Sequence, residues 1–271
     1  MKIFRDLILA IQFLTIIPVI SSPTPDNIND GNQNEEEDLT ENFANSMAFF
    51  PLVGMLIGIL LVVLRRIFYY LPVSSLIGDT LILIIWIWLS GGLHLDGFAD
   101  SIDGFSGGHN KEEILKIMKD SSTGAKGVVA LVSLLLLKFV LLVEMPLLLK
   151  DTALFFTPAI GRWSMVIAAF LGKPARIKDS MGKLFMDYVG WREVIFASLT
   201  MAAIGIFLFR LYFLLLVIIG IGIILLILKY CQKKIGGISG DILGAINEIV
   251  EVSILLAICL VNQIFSLSIF L

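Results

Sequence analysis

Long apolar runs separated by short polar stretches dominate the chain, and their lengths set the fold class. The runs cover residues 47–64, 76–93, 128–143, 152–171, 194–209, 211–228 and 250–271. A bilayer core about 30 Å thick is crossed by a helix of ~20 largely apolar residues, so each run is a candidate span. The stretch 194–228 is too long for one span, and Arg210 near its middle would be costly in lipid, so a tight hairpin is expected at Arg210. The pattern therefore predicts an all-α polytopic membrane bundle of about seven transmembrane helices.

Two N-terminal segments break this rhythm. Residues 2–19 read as an interfacial amphipathic helix with Arg5, Asp6 and Gln12 reaching water. The segment begins like a signal peptide, but residues 16–20 lack a small-residue cleavage pattern, so it is expected to be retained. Residues 21–45 are rich in Pro, Asn and acids, with Glu35, Glu36, Glu37 and Asp38 in one run, and predict a solvated acidic loop. With no repeat and no composition break, residues 1–271 are expected to form a single integral membrane domain.

Composition sharpens the class. Hydrophobic residues make up 58% of the chain and the mean hydropathy is +0.94, well outside the range of soluble domains. The 20 Lys and Arg against 23 Asp and Glu leave a net charge of -3, so there is no broad basic field and no nucleic-acid partner is expected. Cys231 and Cys259 are far apart and lie in or beside apolar runs; they are expected to be packing residues, with no disulfide.

The cations gather in three loops, at Lys111, Lys116, Lys119 and Lys126, then at Lys173, Arg176, Lys178, Lys183 and Arg192, then at Lys229, Lys233 and Lys234. The intervening spans put all three loops on one side, expected to be the cytoplasm of a multi-pass protein in the cell inner membrane. The same alternation puts Arg65 and Arg66 outside, against the usual bias.

Chemistry is concentrated after residue 93. Asp96, Asp100 and Asp103 follow one another at spacings of four and three, within an arc of about 60° on one helical face. Three ionised carboxylates so placed repel by roughly 2 to 3 kcal/mol per pair, which calls for a cation. Oxygen ligands without clustered His or Cys favour Mg²⁺ or Mn²⁺, which commonly share their coordination with substrate phosphates. A solvated helix end is the structural alternative, but such a surface would interleave Lys at the same spacing.

A second polar group spans residues 236–248, where Asp241 and Glu248 are seven residues apart behind a Gly-rich stretch that includes Gly240. Free backbone N–H groups at such a helix start suit phosphate. Between the two groups, Lys119, Ser121, Ser122 and Lys126 could hold a diphosphate, or simply flank the membrane. Arg162 lies inside an apolar run and must face a carboxylate or an anionic ligand. His94 could donate to phosphate or transfer a proton. Gly97 and Gly104, one heptad apart, allow close approach of a backbone or a bulky ligand.

These residues stand in ordered motifs: FLTIIPV at 13–19, FPLVG at 50–54, HLDGFADSIDG at 94–104, MKDSSTG at 118–124, GRW at 161–163 and GISGDILGA at 237–245. In that order the chain resembles the cobalamin synthase family, the adenosylcobinamide-GDP ribazoletransferases, along nearly its whole length. The acidic loop at 21–45 looks longer than that family usually carries. The resemblance implies a Mg²⁺-dependent phosphoryl transfer between adenosylcobinamide-GDP and α-ribazole or its 5′-phosphate. The products would be adenosylcobalamin or its 5′-phosphate, and GMP.

In the expected mechanism Asp96, Asp100 and Asp103 hold Mg²⁺, Asp241 and Glu248 complete the coordination, and one of the acids takes the hydroxyl proton. Gly240, Lys119, Ser121, Ser122, Lys126 and Arg162 are the expected substrate contacts, with His94 an auxiliary. Membrane lipid is a partner by fold class, and a homo-oligomer is left open. A CDP-alcohol phosphotransferase would do similar chemistry, but its Asp-Gly-x-x-Ala-Arg pattern is broken here because Asp100 follows Ala99. A transporter would also carry intramembrane acids, yet no inverted repeat is visible.

Overall fold

The computed structural model describes residues 2–18, 45–175 and 181–268, so the acidic loop lies outside the described residues, as do Arg176 and Lys178. Helix α1 (Lys2–Leu14) is followed by a 3-10 turn (Ser46–Phe49) and α2 (Phe50–Tyr70). Then come α3 (Ser75–Leu89), α4 (Leu93–Gly107), α5 (Lys111–Ile117), α6 (Ala125–Glu144) and α7 (Leu147–Leu171). The chain ends with α8 (Met181–Tyr188), α9 (Trp191–Phe209), α10 (Tyr212–Ile235) and α11 (Gly240–Ser268). Among the described residues six helices are long and apolar enough to cross a bilayer, and α3 with α4 forms a bent pair that would make seven.

The expected span 76–93 needs correction, because α3 stops at Leu89 and α4 leaves at 83° to it. Gly91 and Gly92 make the turn at φ 62° and 68°, a region that penalises any side chain with a Cβ. The last span also begins earlier than the apolar run suggested. Ser239 caps α11, its Oγ accepting from the Ile242 N–H, so the second acidic motif and the final span are one helix.

Hydropathy alone does not distinguish inner from outer helices; burial does. The apolar windows of α7 and α11 are 83% buried, whereas those of α9 and α10 are 22% buried and present Leu, Ile and Phe to lipid. α2 packs on α7 through Gly54 and Gly58, where a Cβ would fall 2.4 Å from the Pro158 carbonyl oxygen and 2.5 Å from that of Phe155. Small residues four apart allow this backbone approach, which substitutes for a hydrophobic driving force inside lipid. Gly58→Val is therefore expected to destabilise the bundle by about 1–3 kcal/mol in thermal unfolding in detergent. Gly222→Val, at a position with nothing within 4 Å, should leave it unchanged.

The Arg210 hairpin is present, with α9 and α10 separated by Arg210 and Leu211 and Arg210 itself at φ 50°. α1, at 13 residues, is only about 20 Å long, too short to span. Its exposed Ile3 and Phe4 suit an interfacial helix, although Asp6, expected in water, is buried. Beyond α1 the Ile16 N–H donates to the Leu89 carbonyl at the end of α3, which ties the N-terminal segment to the bend.

The three cationic loops do share one end of the bundle. Ile238 N–H donates to the Lys173 carbonyl, Ala175 N–H donates to the Ile238 carbonyl, and the Phe105 and Tyr230 rings meet at 5.1 Å. At the opposite end Arg65 and Arg66 both pair with Asp151, and Lys150 pairs with Asp79. The two arginines that broke the charge bias thus share one carboxylate, which offsets part of their charge.

Candidate active site

Helices α4 and α11 cross at the cationic end with almost no separation. A Cβ on Gly97 would lie 2.7 Å from the Asp241 carbonyl oxygen, and one on Gly244 would lie 3.1 Å from the His94 Cα. Glycine is needed at Gly97 because the acid-bearing start of α11 occupies the space of a side chain. The crossing brings together two motifs far apart in sequence, and His94, Asp96, Gly240 and Asp241 line one cavity of about 180 Å³. Phe13 of α1, Met165 of α7 and Phe185 of α8 close its other side.

The acids form a graded group. Asp96 is exposed, while Asp100, Asp103 and Asp241 are half-buried. The Asp100 carboxyl feels the charges of Asp96, Asp241, Asp103 and Asp120, so all five acids belong to one negative field. The Ser122 N–H, donating at 2.9 Å, holds the Asp120 carboxyl below the ordinary range. Among the described residues, no three His, Cys, Asp or Glu side chains converge closely enough to enclose an ion. The donor set nevertheless fits a hard cation, being carboxylate oxygens on two facing helices, each with rotatable side chains.

Asp103 has a task of its own here. Its two oxygens accept from the Gly124 and Gly127 N–H groups at 2.7 and 2.8 Å, so it caps α6 and docks it on α4. Both glycines are required, because a Cβ on Gly124 would fall 2.7 Å from Asp103 Oδ1 and one on Gly127 would fall 2.3 Å from Oδ2. Lys126 Nζ donates to the Ser106 carbonyl at 2.6 Å, while Lys119, Ser121 and Ser122 stand exposed beside Asp120 at the same end.

Two expected site residues are not brought to the acidic face. Glu248, expected as a metal ligand, accepts from Lys138 Nζ at 2.6 Å and is buried. Arg162, expected to contact phosphate, is 1% exposed and pairs with Glu251. The correction has a physical reason: two turns below Asp241, α11 is inside the bundle, where a charge must be paired. Lys138 also binds Glu251 at 2.6 Å, and Asn247 donates to both glutamates, giving a neutral core of two cations and two anions. Lys138 and Glu251 were missed, although ionisable residues within apolar runs were a visible signal. Phe185 had no such signal, since its contribution depends on how α8 folds back over the crossing.

These features define a polytopic α-helical membrane protein with an acidic site at one end of the bundle, built where two helices cross and held by a buried ion-pair core. The chain belongs to the cobalamin-5-phosphate synthase family, whose profile matches residues 6–259. Similar proteins named adenosylcobinamide-GDP ribazoletransferase occur in Clostridium acetobutylicum, 36% identical over 92% of this chain and 93% of the relative. Those of Caldanaerobacter subterraneus (38% identical, 93% and 96%) and Desulforamulus reducens (36%, 96% and 98%) match as fully. No solved structure matches.

Proposed function

We propose that the chain is a membrane transferase that joins adenosylcobinamide-GDP to α-ribazole or its 5′-phosphate, with release of GMP. The observation that carries this reading is the convergence of Asp96 and Asp241 on one cavity, in a chain that matches the family over residues 6–259. A secondary ribose hydroxyl oxygen of the acceptor, free in both α-ribazole and its 5′-phosphate, forms a bond to the phosphorus that bears cobinamide. The bond from that phosphorus to the bridging oxygen breaks, the hydroxyl proton passes to a base at the site, and the bridging oxygen leaves on GMP.

Asp96, Asp100 and Asp241 are the residues that would hold Mg²⁺, with Asp103 keeping α4 and α6 in register around them. When bound, the metal would supply positive charge to the diphosphate oxygens. Lys119, Lys126 and the serines at 121 and 122 stand on the same end, where they can meet phosphate and ribose oxygens. The acids give the uncharged hydroxyl nucleophile a proton acceptor. The purified protein is expected to release GMP from adenosylcobinamide-GDP only with α-ribazole or its phosphate present, and less after metal chelation. Release with CDP-alcohol substrates instead, or binding without turnover, would overturn the reading.

The loop cations favour a cytoplasmic site. Cys231 and Cys259 are 1% and 5% exposed, so thiol labelling from either side should be low in the parent protein. Ser121→Cys is expected to react with a membrane-impermeant maleimide in inverted vesicles and not in intact cells. Labelling in intact cells would reverse the orientation.

A further inference from the structure

The cavity at the α4–α11 crossing has two unlike walls. One is carbon: Phe13, Met165 and Phe185. The other is polar: His94, Asp96 and Asp241. The Phe13 and Phe185 rings lie 5.1 Å apart, and Phe50 backs them at 6.0 and 5.8 Å. Phe185 is 2% exposed and Phe50 fully buried, so the aromatic wall is held by packing on both sides. His94 is 1% exposed, and neither ring nitrogen has a hydrogen-bond partner. A buried polar group left open in a cavity wall is a position where a ligand completes the hydrogen bonding.

Size and polarity decide which part of the reaction fits. At about 180 Å³ the cavity is below the usual range for drug-sized ligands, so it can take one aromatic base, with the attached sugar at its mouth, and not a corrinoid. Guanine is of similar size, but laid against Phe13, Met165 and Phe185 its hydrogen-bonding edges would be left unpaired on that wall, at a cost. The acceptor base differs in polarity. It is a dimethylated benzimidazole, a small apolar aromatic ring, and the attached ribose carries the attacking hydroxyl.

We infer that this cavity is the acceptor site, with the benzimidazole ring against Phe13, Met165 and Phe185, the ribose beside His94, and the reacting secondary hydroxyl of the ribose directed to Asp96 and Asp241. The inference rests on the proposed ribazole transfer and adds the part of the site that selects the acceptor. The donor then approaches from the exposed side of Asp96, its corrinoid outside the bundle. Phe13 and Phe185 are specificity residues of the acceptor, and they make no contact with the donor.

Phe13→Leu and Phe185→Leu test this while keeping an apolar side chain for the fold. GMP release is measured with each substrate varied in turn, and α-ribazole binding is followed by its own fluorescence without donor. Both variants are expected to raise the acceptor KM and Kd about tenfold, the range for losing an aromatic contact to a base, and to leave the donor KM unmoved. Selectivity for α-ribazole over adenosine should fall with them. Equal rises in both KM values, or an unmoved acceptor Kd, would overturn the acceptor site. Absence of GMP release by the parent protein would instead overturn the transfer reaction itself.

Discussion

Replacement of Asp96 by asparagine is expected to lower GMP release by about 10²- to 10³-fold, the loss usual for removing a group that stabilises transition-state charge. Asparagine keeps the size of the side chain and one oxygen, but it removes the negative charge that draws a cation to this face. Asp241→Asn should behave alike, because the two residues line the same cavity from opposite helices. Stability should move the other way. Asp100 lies in the combined field of Asp96, Asp103, Asp120 and Asp241, so neutralising one of them relieves repulsion in chelated protein. Thermal unfolding in chelator alongside GMP release over a Mg²⁺ series checks both expectations. Unchanged turnover in Asp96→Asn would remove this residue from the site, and a large fall in stability would make its role structural.

The Lys138→Met variant is expected to be destabilised by about 3–5 kcal/mol, because it leaves two buried carboxylates without their shared cation. Glu248 and Glu251 are 4% and 0% exposed, and Lys138 Nζ bridges them at 2.6 Å each. The ammonium also lies 4.9 Å from the centre of the Trp86 ring, which extends the network to α3. Denaturant or thermal unfolding in detergent measures the loss, and pairing Lys138→Met with Glu248→Gln should recover much of it. A Lys138→Met protein as stable as its parent would show that these charges are not coupled. The core joins α6, α7 and α11 directly beneath the crossing, so the position of Asp241 depends on it although none of its members lines the cavity.

Much of this was readable along the chain. Residue 210 marked a hairpin because an arginine in mid-membrane is too costly to leave unturned, and α9 and α10 meet there. The acids at 96, 100 and 103 shared a face because helical periodicity is local. Their partner Asp241 was legible as a motif, but the contact between the motifs depended on Gly97, whose missing Cβ lets α11 lie against α4. The apolar run 76–93 gave no notice of the bend at Gly91 and Gly92, since hydropathy averages over residues and carries no φ angle.

Glu248 and Arg162 show the limit most clearly. Residue chemistry required each to meet an opposite charge, and each does. Which charge it meets is a matter of depth in the bundle and of the neighbours on α6 and α7, neither of which has a local trace. The membrane class, the helices and the acids could be read along the chain, because spacing and hydrophobicity act within a few residues. Which acids face the cavity, which are consumed in ion pairs, and where Phe13 and Phe185 form a wall follow instead from packing between distant segments, such as Lys138 with Glu248 at a separation of 110 residues and Arg162 with Glu251 at 89.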